Sequence, residues 1–126
     1  YKLIDINSIA SGDINLPFKA DVLVSNSALH HFHDPYCFWD ALKKLGKTKS
    51  IHIHRDLIRP ASLEKAFELK EKHLSNSPEI LKKDFYASLK ASFTVDEVTQ
   101  QLVVAGLSQL EVFQIDELYF EIIGCI

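Results

Sequence analysis

Five of the six histidines in this 126-residue sequence fall in two clusters, His30-His31-Phe32-His33 and His52-Ile53-His54. Imidazole nitrogens grouped this way are ligands, bases or hydrogen-bond partners. His52 and His54 alternate onto one face of a strand, and His31 and His33 do the same if locally extended, so each pair offers two nitrogen ligands. A metal site needs more. No cysteine pair and no HExxH run completes a set, so the favoured reading is that His52 and His54 hydrogen-bond to neighbours beneath a helix. Asp56, closing the run SIHIHRD, is the acid–base candidate by position, with Arg55 and Arg59 as charge partners rather than phosphate binders. Cys37 and Cys125 stand far apart without a CxxC partner, which fits reduced, idle thiols better than a disulfide framework. Tyr36, Trp39, Tyr86 and Phe93 could line an aromatic pocket, although core packing accounts for them more simply.

These side chains need a scaffold, and hydrophobic periodicity outlines one. YKLIDI at the amino end is a strand candidate, followed by a polar loop from Asn7 to Asn15. ADVLVS, Ala20 to Ser25, is a near-continuous apolar run of strand length, the pattern of a central parallel strand covered on both faces. Asp34 as N-cap and Pro35 at the first helical position open a helix on which Phe38, Ala41, Leu42 and Leu45 recur at helical spacing before Gly46 closes it. SIHIHRD follows as a strand, and strand–helix–strand predicts a right-handed parallel crossover, hence an α/β class. Ser62 is placed to cap a helix reaching about Leu74, and Ser77-Pro78 repeats that arrangement before a helix with Leu81, Phe85, Ser88 and Leu89 on one face. Thr94-Val95-Asp96-Glu97 is a capping box for a helix turning Val98, Leu102 and Ala105 inward, with Gly106 just past its end. Leu110 to Ile115 and Leu118 to Ile126, split by Asp116-Glu117, read as a closing antiparallel hairpin. No repeat or linker interrupts the chain, so residues 1–126 are expected to form a single domain.

Composition limits the function classes. Lys plus Arg number 14 against 17 Asp plus Glu, the net charge is −3, and 47% of residues are apolar, which suits one soluble domain with a real core. With no basic face, nucleic acid and anionic membranes are disfavoured as partners. No apolar run approaches the ~20 residues of a spanning helix, and the amino end lacks a signal-peptide layout, so a cytoplasmic location is expected. Methionine is absent and Tyr1 opens an apolar segment, which reads as a fragment of a longer protein.

Four segments, taken in order, carry a family likeness: Gly12-Asp13-Ile14-Asn15-Leu16-Pro17-Phe18, then VLVSNSALHHFHDP from Val22, RDLIRP from Arg55 and SFTVDEVTQQLVVAGL from Ser92. With the final hairpin they resemble the carboxy-terminal part of class I S-adenosylmethionine-dependent methyltransferases over nearly the whole chain. The resemblance implies a partial three-layer Rossmann-like fold, its sheet mostly parallel with a carboxy-terminal antiparallel hairpin, and the family's strands four, five, seven and six side by side. The family's glycine-rich loop and the acidic residue ending its second strand have no counterpart, because Gly12, Gly46, Gly106 and Gly124 are too dispersed to form a GxGxG turn. Loss of strands one and two would leave the Ala20–Ser25 strand with an unpaired edge, which invites pairing with a second copy in a homodimer, or with the missing amino-terminal segment.

The same resemblance places Asp13 as acceptor for the adenine amino group, with the Ile14 backbone beside it; read alone, Asp13 fits equally an Asx turn beside Gly12. Asn26 stands at the carboxyl end of a strand, where ligands of open α/β sheets bind. By resemblance it borders the methionine end of S-adenosylmethionine, while Ser27, Leu29, His30 and His31 stand at the entrance to the acceptor pocket. Asn26 and Ser27 would also satisfy loose backbone groups of the turn. Methyl transfer from a sulfonium is a direct displacement that needs a base only where the nucleophile carries a proton, and His31 and Asp56 are the candidates. The parent is then a methyltransferase acting on a small-molecule acceptor, and the 126-residue chain, with half the cradle missing, is expected to bind S-adenosylmethionine weakly or not at all. The competing readings are a cofactor-free interaction or dimerisation module and a histidine metal protein.

Overall fold

A computed structural model describes residues 3–126. Strands β1 (Ala20–Asn26), β2 (Gly46–Leu57), β3 (Glu111–Gln114) and β4 (Tyr119–Cys125) form one sheet in the order β1-β2-β4-β3. β1 and β2 are parallel, while β4 runs antiparallel to β2 and β3 antiparallel to β4. This is the expected four-five-seven-six arrangement, with β1 at an edge and β3–β4 as the closing hairpin.

Helix α1 (Ile6–Ser11) overturns the expected amino-terminal strand. Its cause is local: the Asp5 carboxylate accepts from the Asn7 amide at 3.0 Å, and Ile6 and Ile9, three apart, both turn toward the core. Residues 1 and 2 of that expected strand lie outside the described residues. α2 (Pro35–Leu45) starts as expected, the Asp34 side chain accepting from the Tyr36 amide behind Pro35. α3 (Leu63–Leu74) is capped by Ser62, and α5 (Val95–Val104) by the full Thr94–Glu97 box, with Gly106 at φ 73° after it. α4 (Glu79–Ala91) is the exception: Pro78 occupies the cap position and no side chain caps it, so Ser77 does not play the part that Ser62 plays.

Phe38, Trp39 and Leu42 of α2 and Val98 and Leu102 of α5 pack against Leu23 of β1 and Phe120 and Ile122 of β4. A second cluster, Leu57, Ala66, Leu69, Leu89 and Leu118, holds the α3–α4 pair at the end of β2. The first cluster covers the sheet face of Phe120 and Ile122, whereas Leu57 and Tyr119 of the second fall on the opposite face at the carboxyl end of β2, and on the face under α2 and α5 the strand alternation is inverted. β2 turns Ser50, His52, His54 and Asp56 toward the helices and Ile51 and Ile53 away from them, 47% and 39% exposed. Val22 and Val24 on β1, Phe113 on β3 and Ile123 on β4 are likewise exposed, Val24 at 71%. The expected covering of β1 on both faces is therefore not met within these residues: the more apolar face of the sheet is the bare one. A strand with one buried face normally puts its polar residues outward, because a one-residue slip exchanges the faces.

Candidate functional site

The carboxyl ends of β1 and β2 lie side by side, with Asn26 paired to Arg55. Past Asn26 the chain turns sharply: Ser27 takes a left-handed φ of 52°, unusual for a residue with a Cβ, and its amide donates to the Arg55 carbonyl at 2.9 Å. That turn delivers one turn of 3₁₀ helix, Leu29–His31, onto the end of β2. The group that receives it is Asp56, only 3% exposed. One carboxylate oxygen accepts from the Leu29 amide at 2.6 Å and the His30 amide at 3.3 Å. The other accepts from His30 Nδ1 at 2.5 Å and the Leu57 amide at 2.7 Å. An acceptor-only carboxylate requires His30 Nδ1 to donate, which leaves the Nε2 lone pair of the neutral ring as its second polar atom. His30 Nε2 has no protein partner among the described residues, yet no buried side-chain nitrogen or oxygen is orphaned, so Nε2 is open to solvent. His30 and His31 line one side of a cavity of about 330 Å³ between the 3₁₀ turn and α4.

The other expected site residues divide. His31 is exposed and its ring stacks on His30, centroids 4.1 Å apart. Leu29, expected at a pocket entrance, buries its side chain in the main core and contributes only its backbone amide. Asp13 lies in the turn after α1, its carboxylate accepting from Ser11 Oγ at 2.7 Å, while the Ile14 amide donates to the Ser8 carbonyl at 3.0 Å. Gly12 makes that turn with φ 90°. A cavity of about 310 Å³ is lined there by Ile9, Ile14, Leu16 and Lys44, but not by Asn26, and the cavity beside His30 includes neither Asp13 nor Asn26. These residues thus form two separate places, one at the α1 turn and one at the strand ends.

Beneath α2, His52 and His54 do hydrogen-bond to neighbours. Ser25 Oγ meets His54 Nδ1 at 2.9 Å, His54 Nε2 meets His52 Nδ1 at 3.2 Å, and His52 Nε2 meets Ser50 Oγ at 3.1 Å. The chain uses every ring nitrogen, and Phe38 and Trp39 pack edge-on against His54. Burial depresses both rings, His54 to about 4 with a further contribution from His52. Among the described residues no three His, Cys, Asp or Glu side chains gather closely enough to hold a metal. Arg55 pairs with Glu121 and Arg59 with Glu97, as charge partners should. Trp39 is wholly buried and donates to Gln101 Oε1 at 3.1 Å, so it belongs to the core. Both thiols are free, and burial followed by the charges of Asp34, Asp5 and Asp40 raises that of Cys37, which makes it a poor nucleophile. No helix among the described residues is long and apolar enough to cross a membrane.

Sequence reasoning singled out Asp56 and His30 separately but missed their pairing. The available signal was their shared placement near the carboxyl ends of consecutive parallel strands. No protein-family profile matches the chain, and no curated protein matches it by sequence. Solved structures do. A SAM-dependent methyltransferase from Aquifex aeolicus superposes with a TM-score of 0.55 at 15% identity, covering 89% of this chain and 50% of that one. The plantazolicin methyltransferase BpumL, in complex with SAH and a triazolic desmethylPZN analog, gives 0.65 at 13% identity, covering 91% and 56%. Its complex with a pentazolic analog and SAH gives 0.63 at 13%, with the same coverage. The chain spans about half the length of these proteins and shares their fold over that span.

Proposed function

We propose that this chain, whose fold is that of class I S-adenosylmethionine-dependent methyltransferases over about half their length, is the carboxy-terminal part of an enzyme that methylates a small-molecule acceptor. One observation carries the reading: Asp56 gathers the His30 ring and two backbone amides of the turn at the strand ends, leaving Nε2 without a partner among the described residues in a residue that lines a cavity. A ring held in one tautomer with its lone pair presented is prepared to accept a proton from an attacking hydroxyl or amine. His30 is then the base and Asp56 the residue that positions it, while His31 flanks the ring.

The residues present fit part of the cofactor. S-adenosylmethionine supplies the electrophilic methyl group when bound. Asp13 offers a carboxylate oxygen beyond the one held by Ser11 to an exocyclic amine, with Ile14 partly exposed beside it, and Asn26 stands exposed at the end of β1. A glycine-rich turn has no counterpart among these residues, so the rest of the cradle must come from elsewhere. In the complete protein, titration calorimetry is expected to show micromolar binding of S-adenosylmethionine, weakened about tenfold by Asp13→Ala, the usual worth of a hydrogen bond to a charged group. The 126-residue chain should bind at least 100-fold more weakly. Failure of the complete protein to bind would remove the cofactor assignment, and micromolar binding by the short chain would remove the divided cradle.

The bare sheet face supports the partner side of the proposal. Val22, Val24, Ile51, Ile53, Phe113 and Ile123 are together too apolar to face water, each gaining on the order of 1 kcal/mol on being covered. The amino-terminal segment of the complete protein is the natural cover. A second copy takes its place for the isolated chain, in the manner of a dimerisation module, with the free edge of β1 beside it. Sedimentation of the isolated chain should therefore give a dimer at micromolar concentration, and Val24→Lys with Ile53→Lys should return it to a monomer of unchanged circular dichroism. A monomeric parent chain would count against self-association.

A further inference from the structure

The cavity over His30 has a second wall with a definite chemical character. Asp84, Ala87, Ser88 and Ala91 of α4 line it opposite His30 and His31, spaced at helical intervals so that they share one face. Three of the four are small, which leaves a flat wall, and the fourth is an exposed carboxylate. Asp84 makes no ion pair among the described residues. Its helical neighbours at three and four positions are Ile80, Leu81, Ala87 and Ser88, none of them basic, while nearby Lys82 pairs with Glu79. The independent pointer to a ligand is His30, 8% exposed, which lines this space and whose Nε2 has no protein partner among the described residues.

Resting on the methyltransferase reading for its biological meaning, we propose that this cavity is the acceptor site and that it selects a compact, flat, cationic acceptor. The acceptor would carry an ionisable hydroxyl at one end, donating to His30 Nε2, and a protonated amine at the other, facing Asp84. A volume of about 330 Å³ lies at the small end of ligand sites, enough for one or two rings. The His31 imidazole, stacked beside His30, offers a plane for an aromatic ring. Carboxylate or phosphate groups are repelled by the Asp84 carboxylate that lines the same wall. In the transfer itself, the acceptor oxygen forms its bond to the methyl carbon as the carbon–sulfur bond of the sulfonium breaks, the sulfur leaves with that electron pair as the neutral thioether, and the hydroxyl proton passes to Nε2.

Tyramine and 4-hydroxyphenylacetate test the selectivity, because they share a phenol and differ in the sign of the side-chain charge. Titrated into the isotope-labelled chain without cofactor, tyramine is expected to shift the amide resonances of His30, His31 and the 84–91 segment, with affinity at least fivefold above that of 4-hydroxyphenylacetate. Asp84→Asn, at an exposed position that does not support the fold, should bring the two within twofold, and Asp84→Lys should reverse their order. Equal affinities in the parent chain, shifts confined to other residues, or no shifts with either probe would each overturn the inference. Because the readout is binding alone, a complete protein that binds tyramine here but transfers no methyl group would fail the methyltransferase reading and leave this site standing.

Discussion

Asp56→Asn in the complete protein is expected to lower methyl transfer to a hydroxyl acceptor by about 100-fold or more, whereas His31→Gln should leave it within about threefold. Every lone pair of the Asp56 carboxylate that the turn uses faces a donor: the amides of Leu29, His30 and Leu57, and His30 Nδ1. An asparagine of the same shape presents an NH₂ to one of those two pairs of donors. If it faces His30 Nδ1, that nitrogen must become the acceptor, the proton moves to Nε2, and the Nε2 lone pair a base needs is lost. If it faces the Leu29 and His30 amides, the 3₁₀ turn is pushed off the end of β2 and the ring moves with it. His30→Gln should show a comparable loss, and its turnover should lose the fall at low pH that a base must produce. That pH profile separates catalysis from folding, because a merely structural role would lower the amount of active protein without changing the shape of the curve. Cofactor affinity should stay within about threefold in both variants. A deeper loss for His31→Gln than for His30→Gln would reassign the base, and losses under threefold at both His30 and Asp56 would dismiss the pair.

Stability is expected to fall by about 2–3 kcal/mol between pH 7.5 and pH 4.5 because of His54 alone. Its folded-state value is depressed to about 4 from the ordinary 6.5, first by burial under Phe38 and Trp39 and second by the neighbouring His52. Above pH 6.5 the ring is neutral in both states and contributes no pH dependence. Below that the unfolded chain takes up a proton that the folded one refuses, so stability drains away as pH falls, until about pH 4 where the folded ring also protonates. His52, depressed in the same direction, adds to the slope within the same window. Urea unfolding at several pH values measures the effect, and His54→Gln should flatten the dependence while keeping a polar partner for Ser25 Oγ. A parent chain that loses under 0.5 kcal/mol over this range, or a variant with the parent's slope, would contradict the assignment.

The helices were legible where caps and periodicity agreed. Asp34-Pro35 with Phe38, Ala41 and Leu42, and the Thr94–Glu97 box with Val98 and Leu102, are local patterns whose partners lie within a few residues. The closing hairpin and the order of the strands were legible because Leu110–Ile126 alternates like a strand pair and the four segments kept a family's sequence of motifs. Short-range preference misled at YKLIDI, where strand-forming Ile residues were outweighed by the Asp5 cap and the burial of Ile9, and at Ser77, where Pro78 itself took the cap position.

What the amino-acid order settled unaided was the α/β class, the places where α2, α3 and α5 begin, and the placement of imidazoles and carboxylates near the strand ends. Those outcomes depend on neighbours three to seven residues away, and such spacings can be read from a string. The pairing of Asp56 with His30, 26 residues apart, was decided only in three dimensions, as was the removal of the Leu29 side chain to the core. The inward turn of Ser50, His52 and His54, with Ile51 and Ile53 left bare, was decided there too. Alternation along a strand says which residues share a face, but not which face the helices cover; that choice is made by the packing of α2 and α5 against the whole sheet.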